Sequence, residues 1–180
     1  MRWIWIDRIV ELDRAARCVA VKCVSAAEEV LHDHFPARES TDAQGRPVRT
    51  PPVPVLPNPL IIEGMAQTAG ILVGHAGDFR EKVILAKIAK ARFTAAAHPG
   101  HVLRYTATLE RFDEQGASAR GEVTRLDPAS GGEAPLAEIE LMFSHIDRNR
   151  AGAMFPAENF VFTDQFFDLL RRAGVAVPDR

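Results

Sequence analysis

Residues 58–77 read NPLIIEGMAQTAGILVGHAG, and this stretch decides the architecture. Asn58 is a favoured N-cap, and Pro59 suits the first helical position, where its missing N–H costs nothing. Residues 60–77 are apolar nearly all round, which marks a buried helix rather than an amphipathic surface one. Gly74 and Gly77 read as stop signals. The isolated charge is Glu63, and Gln67 lies one turn further along the same face. A charge among apolar side chains costs several kcal/mol if left ionised and unpaired. A carboxyl there must pair with a cation, point into a cavity or stay protonated. The plain reading is a structural carboxylate capped by Arg92 or a backbone amide, and the sharper one is an acid used in catalysis.

The flanks of this helix are β-rich. Upstream, residues 3–11 have the composition of a strand, Asp13-Arg14 that of a turn, and residues 18–24 (CVAVKCV) that of a second strand. Together they predict an antiparallel hairpin. Its two cysteines, Cys18 and Cys23, are five apart and so face opposite ways, which predicts two unpaired thiols. Ser25 followed by Glu28 has the form of a capping box and predicts a short helical turn. Residues 37–54 are polar and rich in Pro, Arg, Thr and Asp, which predicts a long exposed, mobile loop. It reads as a surface decoration or, with less support, as a lid or partner-contact segment.

Downstream, residues 83–88, 90–94, 102–112, 117–126 and 136–145 are strand candidates. His98-Pro99-Gly100 and residues 127–132 are the turns between them. Two strands, one buried helix, then four or five strands make an α+β pattern whose simplest solution is an antiparallel sheet curled around the helix. The tail carries Phe155, Phe160, Phe162, Phe166 and Phe167. Residues 165–174 (QFFDLLRRAG) predict a last helix, capped by Thr163 or Asp164, closed by Gly174 and docked on the sheet or on a second subunit.

A chain of 180 residues with 47% apolar and 26% charged residues suits one domain with a proper core. The formal net charge of −2 argues against nucleic acid or an anionic membrane surface as the main partner. No secretory signal and no apolar run of membrane-spanning length is visible, so cytoplasmic placement is expected. The six histidines are scattered, and His32-Asp33-His34 lacks further ligands at a usual metal spacing. No metal and no cofactor are expected.

His34-Phe35-Pro36, then Pro54-Val55-Leu56-Pro57, then the helix with Glu63 and Gln67 together resemble the signature of the β-hydroxyacyl-acyl carrier protein dehydratase family. Trp5-Ile6-Asp7-Arg8-Ile9-Val10, Lys90-Ala91-Arg92-Phe93 before the His98-Pro99-Gly100 turn, and residues 137–142 resemble further family stretches in the same order, over roughly residues 4–144. The resemblance implies a hot-dog fold: a curved antiparallel sheet wrapped around one buried central helix, here with an extra C-terminal helix. Residues 1–150 would form that domain, with the insertion at about 37–54, and 151–180 an extension.

The resemblance also implies a hydro-lyase acting on acyl chains borne by acyl carrier protein, as a homodimer or a trimer of dimers. His34 would take the α-proton of a (3R)-hydroxyacyl thioester, and Glu63 of the other subunit would protonate the departing hydroxyl. Phe35, Asn58 and Gln67 would serve substrate binding, the amide of Asn58 polarising the thioester carbonyl and Gln67 orienting Glu63. Arg38, Arg46, Arg49, Lys87, Lys90 and Arg92 are the basic candidates for drawing in the acidic carrier protein. Three features depart from the family pattern. Asn58 stands where the family has glycine, the segment after His34-Phe35-Pro36 is longer, and the tail extends past Ser144, where it would change oligomer packing or cap the acyl tunnel that the apolar helix wall and the strands would line. A hot-dog thioesterase and a non-catalytic acyl-binding or assembly subunit are the alternatives.

Overall fold

The computed structural model describes residues 3–33, 35–145 and 161–177, the side chains of His32 and Asp33 excepted. Its centre is helix α2, Asn58–Ala76. The helix begins one residue earlier than its sequence suggests. Pro57, extended at φ −58° and ψ 134°, is the N-cap, so Asn58 is the first helical residue and makes no side-chain cap. The carbonyl of Pro57 accepts from the amides of Leu60 and Ile61, which a proline can do as well as any residue. At the other end Gly77 closes the helix, but Gly74 is not a stop. It lies inside the helix against the ring of Phe162, and a β-carbon there would also come within 2.9 Å of Phe79. Its smallness admits an aromatic neighbour.

A six-stranded antiparallel sheet wraps this helix. Its strands are β1 (Arg8–Asp13), β2 (Arg17–Cys23), β5 (Val83–Phe93), β6 (Val102–Asp113), β7 (Gly116–Asp127) and β8 (Gly132–His145), in the order β1-β2-β6-β7-β8-β5. Register shifts interrupt β1, β5, β6 and β8, and such bulges increase local twist and bend the sheet. The two bulges of β5 also explain why its sequence reads as two short strands. Ala86 and Ala89 are the extra residues between paired ones, and the strand is continuous through both.

The helix is seated by small residues opposite large ones. A β-carbon on Gly64 would lie 2.7 Å from the ring and hydroxyl of Tyr105 on β6, and one on Gly121 of β7 would meet Met65. Ile61, Met65, Ala69 and Leu72 of α2 are fully buried together with Leu103, Tyr105, Ile139 and Leu141 of the sheet. These contacts fix the rotation of α2 and turn Glu63 and Gln67 to its other flank, beside the start of β5. As expected, Cys18 is buried, Cys23 is exposed and both are free.

Ser25 and Glu28 form the expected box. The Glu28 carboxylate accepts from the Ser25 amide, Ser25 Oγ accepts from the Ala27 amide, and the short helix α1 (Glu29–Asp33) follows. The insertion is not a structureless loop. Residues Arg38–Thr41 (β3) and Pro47–Thr50 (β4) pair as an antiparallel hairpin. Asp42 makes the turn by accepting from the amides of Gln44 and Arg46, and Gly45 takes φ +78°. All eight strand residues are exposed, so no inside–outside alternation betrays the strands in the sequence.

The tail forms helix α3, Asp164–Arg172, with Thr163 at the N-cap and Gly174 left-handed just beyond its end. Phe162 and Phe167 are buried and meet Phe79 edge to face at 5.1 and 5.7 Å. The tail therefore packs on the C-terminal end of α2. Phe155 and Phe160 lie outside the described residues. No helix among the described residues is long and apolar enough to cross a membrane.

Candidate active site

Glu63 lies half-buried in the second turn of α2 and lines a cavity of about 280 Å³. From the helix the walls are Glu63, Ala66, Gln67, Gly70 and Ile71, and from the sheet Val83, Ile84, Leu85 and Phe143. Trp3 stands at one side, and Val161, Phe162 and Phe166 of the tail complete the lining. The cavity is apolar apart from Glu63 and Gln67, the ordinary character of a small-molecule pocket with a few polar groups to fix orientation.

Gln67 is nearly fully buried and uses its whole amide. Its Oε1 accepts from the backbone N–H of Trp5 at 2.8 Å, and a backbone N–H can only donate, so this contact fixes which way the amide faces. The Nε2 then donates to the backbone carbonyl of Trp3 at 3.1 Å and to Glu63 Oε1 at 2.9 Å. The carboxyl is thus held by a neutral amide that is itself bolted to the N-terminal segment. No cation among the described residues forms a salt bridge with Glu63. Arg92 is exposed on β5, opposite Glu138 in the β5–β8 register, and does not cap it.

Phe35 and Asn58, the other candidates among the described residues, do not line the cavity. His34 lies outside the described residues. Phe35, next to it, is 55% exposed and does not line the cavity. Its backbone takes φ +56°, a left-handed conformation that costs an aromatic residue of order 1–3 kcal/mol. Its carbonyl accepts from the Val53 amide at 3.0 Å, which ties the chain at Phe35 to the segment leading into α2.

Asn58 is exposed at the start of α2, where the first amides have no intrahelical partner and the helix dipole is positive. The approach to the helix is anchored at two points. The Leu56 amide donates to the Ala97 carbonyl at 2.9 Å, and His98 Nδ1 lies 3.0 Å from the Pro54 carbonyl. Of the basic candidates, Arg46 is paired with Asp42, and Lys90 with Glu138 and Glu140. These carboxylates raise the Lys90 pKa above its ordinary value, with Glu138 contributing most. Arg38, Arg49, Lys87 and Arg92 are exposed.

Sequence reasoning did not foresee the part played by Trp3 and Trp5, because they hold Gln67 through a backbone carbonyl and a backbone N–H that any residue but proline would supply equally. Nor did it place Gly70, Val161, Phe162 and Phe166 on the cavity wall. The tail was expected either to change oligomer packing or to cap the tunnel, and nothing in its sequence singled out which of its aromatics would reach the cavity.

A model of the FabA-like domain matches residues 50–124, which span the α2 helix and the Glu63–Gln67 pair. The chain is 32% identical over 149 residues to 3-hydroxyacyl-[acyl-carrier-protein] dehydratase FabZ of Chloroflexus aggregans, covering 81% of this chain and 87% of that protein. It is 31% identical over 142 residues to the FabZ of Caldanaerobacter subterraneus subsp. tengcongensis, covering 78% and 86%.

Among solved structures, the dehydratase heterocomplex ApeI:P from Xenorhabdus doucetiae superposes with a TM-score of 0.55 at 19% identity, over 82% of this chain and 85% of that one. A mutant acyl-CoA hydrolase from Staphylococcus aureus superposes with a TM-score of 0.54 at 14% identity, over 89% and 85%. At these identities the structural likeness establishes the hot-dog α+β fold, and the sequence likeness establishes kinship: the chain belongs to the family of the 3-hydroxyacyl-[acyl-carrier-protein] dehydratases of the FabZ type.

Proposed function

We propose that the protein removes water from (3R)-hydroxyacyl thioesters carried on acyl carrier protein, giving trans-2-enoyl thioesters for fatty acid or related lipid synthesis in the cytoplasm. The observation that carries this reading is the Glu63 carboxyl. It faces an otherwise apolar cavity and is held by the Gln67 amide rather than neutralised by a cation. Such a carboxyl is free to give a proton to a substrate oxygen.

In the proposed reaction His34 removes a proton from C2, the electron pair forms the C2–C3 double bond, and the C3–O bond breaks. Glu63 protonates the departing hydroxyl, which leaves as water. The thioester carbonyl gains negative charge as C2 loses its proton. The first turn of α2, with the Asn58 amide at its positive end, is the group placed to stabilise it.

The reading places the two residues on different subunits of a homodimer. Strand β5 supports a dimer: among the described residues it ends the sheet, pairs with β8 alone, and exposes Leu85 and Ile88 along its free edge, with Met142 exposed on β8. An uncovered apolar edge of this kind invites a second strand.

Glu63→Gln and His34→Ala should each lower enoyl thioester formation by at least the ~10²–10⁴-fold typical of a lost general acid or base, with the folded dimer intact. The assay follows the enoyl chromophore with 3-hydroxyacyl-carrier protein as substrate. A saturated acyl thioester run in parallel should release no thiol. Near-parental turnover by either variant removes the mechanism, and thiol release from the saturated substrate favours a thioesterase.

A further inference from the structure

We infer that the C-terminal segment is the blind end of the acyl-binding tunnel, and that Phe162 and Phe166 set the longest acyl chain the protein accepts. This rests on the dehydratase reading for the identity of the ligand as an acyl thioester. The shape of the cavity stands without it.

The argument starts from helix spacing. Glu63, Ala66, Gln67, Gly70 and Ile71 recur at intervals of three and four and form one continuous stripe on α2. The cavity therefore runs along the helix axis from the carboxyl toward the C-terminal end. Gly74 is the next residue on that stripe, and Phe162 sits directly on it, buried and braced edge to face by Phe79. The channel ends there because an aromatic ring from the tail occupies the place where the stripe would continue. Phe166, half-buried in the first turn of α3, is the neighbouring wall. Both residues lie beyond the stretch matched by the FabA-like domain, which ends at residue 124.

Two measures of the channel agree. From Glu63 to Ile71 the helix rises about 12 Å. A fully extended chain advances about 1.2 Å per bond, so this length takes about ten bonds. The volume of about 280 Å³ is small for a ligand pocket. At about 30 Å³ for each water-sized group it holds about nine such groups. A medium-length acyl tail fits, and a long one meets Phe162. Gly70 widens the middle of the channel. A β-carbon there would touch only Phe143, at 3.8 Å, so alanine is sterically acceptable and its methyl narrows the passage.

The test measures binding and turnover across saturated acyl and 3-hydroxyacyl thioesters of increasing length, using the full chain. In the parent, affinity should rise about fourfold per methylene while the chain is being buried, then stop rising at about twelve carbons, since the channel is counted from C3 at Glu63. Phe166→Ala, at a half-buried position, and Phe162→Leu, which keeps an apolar side chain, should move that limit to longer chains. Gly70→Ala should move it to shorter ones.

The ratio of long-chain to short-chain kcat/KM should rise at least tenfold in Phe166→Ala and fall in Gly70→Ala. An unchanged length limit in both tail variants, with short-chain binding intact, overturns the inference. If no length is dehydrated but the binding limit still shifts, the reaction assignment fails and the tunnel assignment stands.

Discussion

Replacing Gln67 with leucine should damage stability and turnover together, and the structure gives the size of the first effect. The side chain makes three hydrogen bonds: one from the Trp5 amide, one to the Trp3 carbonyl and one to Glu63. Each is worth about 1 kcal/mol. The three together come to about 3 kcal/mol. Leucine fills much the same space, so little cavity cost is added.

For a chain of this length each kcal/mol moves the melting temperature by about 2–4 °C, so the variant should melt roughly 6–12 °C below the parent. The second effect is kinetic. A Glu63 carboxyl with no anchor samples several rotamers, so kcat should fall while KM, set mainly by the apolar wall, stays near the parental value. Thermal melting by circular dichroism and steady-state kinetics on one preparation read both. A Gln67→Leu protein that melts with the parent and keeps its kcat would show that the bracket neither stabilises the fold nor steadies the carboxyl.

Two further outcomes are expected. Burial, aided by the charge on Glu11, pushes the Cys18 thiol up to about 12, whereas Cys23 is exposed. A thiol reagent at mildly alkaline pH should therefore modify Cys23 alone in the folded protein and both cysteines after denaturation. Rapid modification of Cys18 in the native state would contradict its placement. Ile88→Lys puts a charge on the open edge of β5 and should yield a folded monomer by sedimentation, with turnover lost because each proposed site draws on two subunits. A fully active monomer would separate the site from the dimer.

Much of this architecture is legible in the sequence because burial leaves a periodic trace. The all-round apolar run of 58–77 and the strand runs on either side locate α2 and the sheet, and Glu63 stands out as the one charge in that run. What escapes the sequence escapes for identifiable reasons. The β3–β4 hairpin faces solvent on every side, so it has no pattern of inside and outside. Gly74 looks like punctuation, since sequence alone does not separate a glycine that ends a helix from one that admits a ring. The cap falls on Pro57 instead of Asn58 because helix ends depend on local backbone angles that the favoured residue types only bias. The tail's aromatics announce a docking surface without saying which of them reaches the cavity.

The bracket on Gln67 bears on how this protein tolerates genetic change. Because the partners are the main-chain amide of Trp5 and carbonyl of Trp3, 62 and 64 residues away, exchanging either tryptophan side chain leaves those two hydrogen-bonding groups in place. Losing or gaining a single residue between them and β1 would instead slide the whole leader by one step and present Gln67 with the wrong atoms. For this bracket, exchanging a residue between Trp3 and β1 is therefore milder than losing or gaining one there.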